Sequence, residues 1–227
     1  MPQKWEQNIR ITVSEKIYLR DPDSSELGRR IVQNAIDIIN EVGFESFTFK
    51  KLATRINSTE ASVYRYFENK HKLLIYLISW YWNWLEYRLM FDINNLKKPV
   101  EKLKKTIHLI ANPVEQDPDF QYINEHRLHQ VVVSESAKAY LTKEVEQDNK
   151  EGCFISYNRF TRRLSQIIKE INPDYKYANP LAVTIIETCH EQQFFAQHLP
   201  NFSDKSFSDE DKLEDYIIDF TLKSISP

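Results

Sequence analysis

The segment TFKKLATRINSTEASVYRYFENKHKLL, from Thr48 to Leu74, constrains the fold more than any other part of the chain. Its apolar spacing predicts two short helices separated by a tight turn, followed by the start of a third helix at Lys70. Asn57 is suited to the turn, because asparagine tolerates the left-handed backbone conformation that a sharp reversal requires. The expected N-caps are Thr48 for a helix over 49–55, Ser58 or Thr59 for the second helix, and Asn69 for the third.

Two short helices joined in this way form a helix-turn-helix, whose second helix fits the major groove of DNA. The segment also resembles the DNA-binding domain of the TetR family of bacterial transcriptional regulators. The matching residues are Leu52-Ala53, Ser62-Val63-Tyr64-Arg65-Tyr66-Phe67, Asn69-Lys70 and Leu73-Leu74. The resemblance covers the chain from about Leu27 to Leu74. It departs from the family at Asn57-Ser58, where Gly-Val is usual, and at Glu60, where a basic or small residue is frequent.

The DNA-contacting residues follow partly from geometry and partly from the resemblance. Glu60, Ala61, Ser62 and Arg65 lie near enough on the second helix to reach base edges, and Lys50 could reach a guanine or the backbone. The resemblance implies base-facing positions for Ala61 and Ser62, and phosphate contacts for Tyr64, Tyr66 and Lys70. The alternative is that the tyrosines pack in the core and the lysines are solvated. The predicted DNA-binding set is Thr48, Lys50, Glu60, Ala61, Ser62, Tyr64, Arg65, Tyr66 and Lys70.

Charge is distributed unevenly along the chain. The net charge of the 227 residues is −3, but six basic and two acidic residues lie between Phe47 and Ile75, which makes this segment +4. Because DNA binding requires a local basic surface and not a basic protein, the asymmetry agrees with the helix-turn-helix.

Composition favours an all-α protein. The chain has only three glycines, with 41% hydrophobic and 28% charged residues. Its two cysteines form no disulfide framework, and the N-terminus lacks the layout of a signal peptide, so we expect a cytoplasmic protein. The uncharged run over 73–85 is too short to span a bilayer. No membrane association is therefore expected.

Three regions are predicted. Residues 1–23 form an extended N-terminal arm, because Ile9, Ile11 and Val13 alternate with polar residues. This arm either packs on the body or reaches DNA through Lys16 and Arg20. Residues 24–74 form a three-helix DNA-binding domain, with a first helix over about 25–42 that ends at Gly43. Residues 75–227 form a helical ligand-binding and dimerisation domain. Its helices are expected over 70–94, 99–111, 117–133, 136–145, 152–171, 180–199 and 209–224.

The second domain is expected to hold a small-molecule ligand of unknown identity. TetR-like proteins bind inducers between the helices that follow the helix-turn-helix. The residues implied as pocket walls are Trp84, Tyr87, Arg88, Tyr122, His126 and His129. For each aromatic ring, packing in the core is the alternative. The aromatic content suggests an apolar or planar ligand.

No catalytic constellation, cofactor motif or metal site is predicted. His126 and His129 have a spacing that can bind metal, and Cys189, His190 and Glu191 are residue types that can complete such a site, but nothing in the sequence brings the two segments together. Hydrogen-bonded histidines are the default. An enzyme with a hidden metal site therefore stays only as a rival hypothesis.

The sequence thus indicates a non-enzymatic regulator that binds a palindromic DNA operator as a homodimer. The resemblance implies dimerisation through the helices over 180–199 and 209–224, which carry apolar residues on more than one side. A ligand in the second domain would release the DNA by tilting the helix that carries both Lys70 and Trp84. The alternative is a helical ligand-binding or interaction module without sequence-specific DNA binding, which Glu60 and the acidic remainder of the chain would suit.

Overall fold

The computed structural model describes residues 11–112, 122–204, 207 and 210–226, with the side chains of the last range from 212 onward. Within these residues the chain is helical and contains no strand. A short 3-10 helix, Pro22–Ser24, precedes the α-helices. These are α1 Glu26–Ser46, α2 Phe49–Arg55, α3 Glu60–Tyr64, α4 Lys70–Ile93, α5 Pro99–Ala111, α6 Glu125–Glu135, α7 Ala137–Tyr140, α8 Val145–Lys150, α9 Ile155–Ile171, α10 Ala178–His198 and α11 Glu210–Ile225.

The helix-turn-helix forms where the sequence predicts it, because its boundaries are fixed by local caps. The Thr48 hydroxyl accepts a hydrogen bond from the Lys51 amide at 3.2 Å, and the Thr59 hydroxyl accepts one from the Ser62 amide at 3.2 Å. Asn69 caps α4 in the same way. Asn57 adopts a positive φ of 49°, as the turn requires.

The first helix runs one turn further than predicted. Gly43 has a φ of 74° and a ψ of 160°, so the expected left-handed glycine is present, but helical geometry resumes after it as far as Ser46. The amide of Phe44, at the start of this last turn, donates to the carboxylate of Glu135 on α6 at 3.1 Å. A long-range partner therefore holds the break that the glycine permits.

The N-terminal segment packs on the body without forming a strand in its described part, 11–20. Ile11, Val13 and Ile17 are buried, and a turn closes between the Ser14 carbonyl and the Ile17 amide at 3.1 Å. The predicted alternation stops there, since Leu19 is 65% exposed. The first ten residues, including Ile9, lie outside the described part of the chain.

The second half follows the prediction except in two places. The helix expected over 136–145 is replaced by the short helices α7 and α8, joined by a turn. The helix expected over 117–133 begins within 113–121, which lie outside the described residues. In the rest of that range the observed helix is α6, Glu125–Glu135. The predicted domain boundary at residue 74 lies inside α4, a continuous helix of 24 residues, and stays a prediction. No helix among the described residues is long and apolar enough to cross a membrane.

Two buried histidines lie in the core between α4, α6 and α10. The Nε2–H of His129 donates to Gln193 Oε1 at 3.2 Å, so its Nδ1 accepts from the Tyr81 hydroxyl at 2.8 Å. The ring of His190 lies 5.9 Å from that of His129. Burial lowers the pKa of His129 to about 4 and that of His190 to about 3. Both rings are therefore neutral at physiological pH.

We expect these histidines to make the fold sensitive to acid. Below pH ~6.5 the unfolded chain protonates both imidazoles, while the folded chain does not until the pH reaches about 4. As the pH is lowered across this interval, the free energy of unfolding should therefore decrease by about 1.4 kcal/mol per histidine for each pH unit. Chemical denaturation at a series of pH values measures it. His190→Gln should reduce the slope relative to the unsubstituted chain, and an unchanged slope would contradict this assignment.

Candidate DNA-binding surface and ligand cavity

The recognition helix α3 turns one face to solvent and the other to the core. Val63 is fully buried, whereas Glu60, Ala61 and Arg65 are exposed. Ser62 is half-buried, and its hydroxyl lies 3.0 Å from that of Thr59. Three of the four residues predicted to reach base edges are therefore exposed, and the contacts of all four with DNA stay a prediction.

The two predicted tyrosines occupy different environments. Tyr64 is 49% exposed and packs edge-to-face on Phe49 with ring centroids 4.9 Å apart, so it braces α3 against α2 while its hydroxyl side faces outward. Tyr66 is only 2% exposed, and its hydroxyl hydrogen-bonds to that of Ser25 at 2.7 Å. The expected phosphate contact does not agree with the buried position of Tyr66, which instead joins the start of α1 to the end of the helix-turn-helix.

Most basic side chains of the motif already have partners within the protein. The Lys70 ammonium donates to the carbonyls of Phe44 and Glu45 at 3.1 Å each, at the end of α1. It is therefore bound within the protein, although the phosphate contact expected of Lys70 requires a free ammonium group. Lys51 donates to the Ser46 carbonyl, and Arg55 forms two hydrogen bonds with Glu41. The Lys72 ammonium donates to both Asp148 and Glu151. Lys50 and Arg65 are exposed and have no such partner within the described part of the chain. The effective positive charge of the motif is therefore smaller than its composition suggests.

The N-terminal segment reaches the edge of this surface. The amide of Leu19 donates to the Tyr66 carbonyl at 2.8 Å, and the guanidinium of Arg20 lies over the Tyr66 ring at 5.4 Å. Arg20 and Lys16 are both exposed. The segment thus combines the packing role with a basic residue beside the helix-turn-helix.

A cavity of about 490 Å³ lies between α1, α6 and the end of α10. Its volume is in the range of small-molecule sites. The described residues that line it are Ile39, Asn40, Gly43, Ala111, His126, His129, Gln130, Val133, Ser134, Glu135, Gln193, Phe194, Ala196, Gln197, His198 and Phe207.

This cavity contains two of the six predicted ligand residues. His126 and His129 line it, but Trp84, Tyr87, Arg88 and Tyr122 do not. Trp84 is fully buried with Arg88 stacked over its ring, and Tyr122 is hydrogen-bonded to Asp23. Core packing, the alternative for the rings, therefore applies to Trp84, while Tyr87, Arg88 and Tyr122 are half-buried. The sequence did contain a sign of the missed residue Glu135, since it follows Leu128, Val131 and Val132 on the buried face of α6.

Helix α6 is fastened to α1 of the DNA-binding domain at three points. The Arg127 guanidinium pairs with Asp37 at 2.5 Å, and the Asn40 side-chain amide donates to the Arg127 carbonyl at 2.9 Å. The third point is the bond from the Phe44 amide to Glu135. A displacement of α6 therefore acts directly on the helix that supports the helix-turn-helix.

The histidines do not form the metal site considered from the sequence. His126 hydrogen-bonds to Gln130, and the donor atoms of His129 and His190 do not belong to a compact ligand set. Among the described residues, such a set occurs only at Asp148, Glu151 and Cys153. There the ammonium of Lys72 lies 2.7 Å from Asp148 and 2.9 Å from Glu151 and supplies the positive charge.

Comparison with known proteins agrees with this architecture. Residues 31–77 match the family "Bacterial regulatory proteins, tetR family". The structure of AibR in complex with isovaleryl coenzyme A and operator DNA has a TM-score of 0.58 with 14% identity, over 85% of this chain and 97% of that one. The fatty acid degradation regulator FadR from Bacillus halodurans has a TM-score of 0.56 with 16% identity, over 83% and 96% of the two chains.

A tetR-family regulatory protein from Rhodococcus RHA1 has a TM-score of 0.57 with 14% identity, over 89% of this chain and 98% of that one. No curated protein sequence matches the chain. At these identities the structural likeness concerns the fold, while the family match covers the segment that contains the helix-turn-helix. Together they confirm that this chain has the all-α fold of the TetR-family regulators and carries their N-terminal DNA-binding domain.

Proposed function

We propose that the protein is a homodimeric transcriptional regulator, acting as a repressor, which releases a palindromic operator when a small molecule occupies the cavity beside α1. The observation that carries the proposal is the position of α6. This helix lines the cavity with His129, Val133 and Glu135, and it holds α1 through Arg127 and the same Glu135. The similar protein AibR, which is known in complex with isovaleryl coenzyme A and operator DNA, supports the presence of a small-molecule site and a DNA site on one such fold.

The coupling would use two connections to the DNA-binding domain. Lys70 begins α4 and holds the carbonyls at the end of α1, so α4 and α1 move together. Helix α6 holds the same region of α1 from the cavity side. A ligand that shifts α6 would rotate α1 with its helix-turn-helix, and in a dimer this would change the spacing of the two recognition helices. Only a ligand with different affinities for the two arrangements can do so.

Selection of bound sequences from random duplex DNA tests the DNA-binding half of the proposal. We expect an enriched inverted repeat, with an affinity that falls steeply as salt is raised, because each phosphate contact releases counterions. The measurement is made on the purified full chain at two salt concentrations, without added ligand. If folded dimers enrich no sequence, the alternative of a helical module without sequence-specific DNA binding is favoured.

Single substitutions separate the roles of the exposed residues. Lys50→Ala and Tyr64→Ala should weaken binding to all sequences alike, and Arg65→Ala should cost about 1–3 kcal/mol and relax the preference at one base position. Ser62→Ala should likewise alter base preference. Lys51→Ala is the matched control for Lys50, because Lys51 lies on the same helix but donates to the Ser46 carbonyl. An unchanged base preference in the Arg65 and Ser62 variants would remove these residues from the readout.

The dimer is proposed to form through α10 and α11, which pack against each other. Tyr216 on α11 is 42% exposed and Phe195 on α10 is half-buried, so both leave apolar surface uncovered in one chain. Tyr216→Asp and Phe195→Asp should convert the dimer to a monomer in sedimentation experiments. Leu141→Asp, at an exposed position after α7, should leave the dimer intact; dimers of unchanged stability in the first two variants would place the interface elsewhere.

A further inference from the structure

We propose that the cavity beside α1 binds a small organic cation, an ammonium group on an apolar body, with Glu135 as its counter-ion. The effect of this ligand on DNA rests on the function proposed above. Its binding does not, because the charge of the cavity follows from the residues that line it.

Three helical segments contribute residues near their C-terminal ends to the cavity wall. The first part of α1 ends at Gly43, and Ile39 and Asn40 of its last turn line the cavity. Helix α5 ends there with Ala111, and α10 with the turn from Ala196 to His198. The last carbonyls of a helix carry a partial negative charge that favours cations. The Ala111 carbonyl accepts a hydrogen bond from the side-chain amide of Gln193, another lining residue.

The charged side chains reinforce this polarity. The carboxylate of Glu135 lines the cavity, and no lysine or arginine occurs among the described lining residues. The Lys138 ammonium pairs with Glu135 Oε2 at 2.5 Å, and Lys138 is not one of the lining residues. Because its side chain is 38% exposed, the ammonium can move into solvent when another cation binds Glu135. The three lining imidazoles are His126, His129 and His198, of which the buried His129 stays neutral because burial lowers its pKa to about 4. An anionic ligand would meet Glu135 and the helix ends without a strong cationic partner.

The remaining walls suit the body of an organic cation. Ile39, Val133, Phe194 and Phe207 provide apolar contact. The two phenylalanine rings can also hold a cation over their faces. A cavity that is lined by both a carboxylate and aromatic rings selects ammonium groups over neutral molecules of the same shape.

The same carboxylate links the ligand to the DNA-binding domain. Glu135 Oε1 accepts from the Phe44 amide at 3.1 Å, directly after the left-handed Gly43. The Lys138 ammonium occupies the other oxygen, Oε2, so a ligand ammonium competes with the Phe44 amide only where it reaches Oε1. Loss of the bond frees the last turn of α1, on which the position of the helix-turn-helix depends.

The test uses three probes with one skeleton: 4-phenylbutylamine, 4-phenylbutanol and 4-phenylbutyrate. Thermal unfolding and titration calorimetry of the full-length protein measure their binding. At about 10 mM amine, even a dissociation constant of about 1 mM shifts the folding equilibrium about eleven-fold toward the folded state. We expect the amine to raise the unfolding temperature and the carboxylate to have no effect. A preference for the carboxylate, equal binding of all three, or no binding of the amine would overturn the proposal.

Variants identify the site. Glu135→Gln keeps an oxygen that can accept from the Phe44 amide but removes the charge, so it should weaken amine binding about tenfold or more. Glu187→Gln is the control, because Glu187 on α10 bonds to Tyr157 and does not line the cavity. The amine is then added to the operator complex. Amine binding without DNA release contradicts the proposed coupling alone, whereas operator binding without amine binding contradicts the cation site alone.

Discussion

The hydrogen bond between the Phe44 amide and Glu135 decides where the first helix bends and how the DNA-binding domain meets the rest of the protein. Gly43 makes the bend possible because its positive φ is readily adopted by glycine and rarely by other residues. The conformation and not the space requires glycine here, since a Cβ at that position would meet only Glu135 Oε1, at an ordinary 3.6 Å. A buried carboxylate is costly unless it is paired. The Phe44 amide and the Lys138 ammonium supply that pairing, so both partners stabilise the carboxylate at this interface.

The helix-turn-helix could be predicted from the sequence because its signals are local. Thr48, Thr59 and Asn69 each accept a hydrogen bond from an amide three residues later, and Asn57 needs only a tolerance of positive φ. Such interactions depend on a few neighbouring residues, so their spacing is visible in the printed chain. The limits of α2 and α5 agree with the prediction for the same reason, since a threonine cap and a proline at the first position fix their starts.

The binding residues were harder to predict because their environments depend on distant partners. Nothing near Arg55 or Lys72 in sequence indicates that Glu41 and Asp148 neutralise them, yet these pairs reduce the charge available to DNA. Trp84 and Tyr122 resemble pocket residues by their type and position, but Trp84 is buried in the core and the Tyr122 hydroxyl is bound to Asp23. The cavity itself arises where α1, α6 and α10 meet, and no local pattern specifies that meeting.

The position of the cavity limits what its ligand can do. A molecule that only filled space between α6 and α10 would stabilise every arrangement of the helix-turn-helix equally and would leave DNA affinity unchanged. Control requires a group whose partner differs between the two arrangements. Glu135 is such a partner, because its carboxylate is shared between the amide that fixes the bend of α1 and the space that the ligand enters. The chemistry that selects the ligand and the bond that positions the DNA-binding domain therefore meet in one side chain.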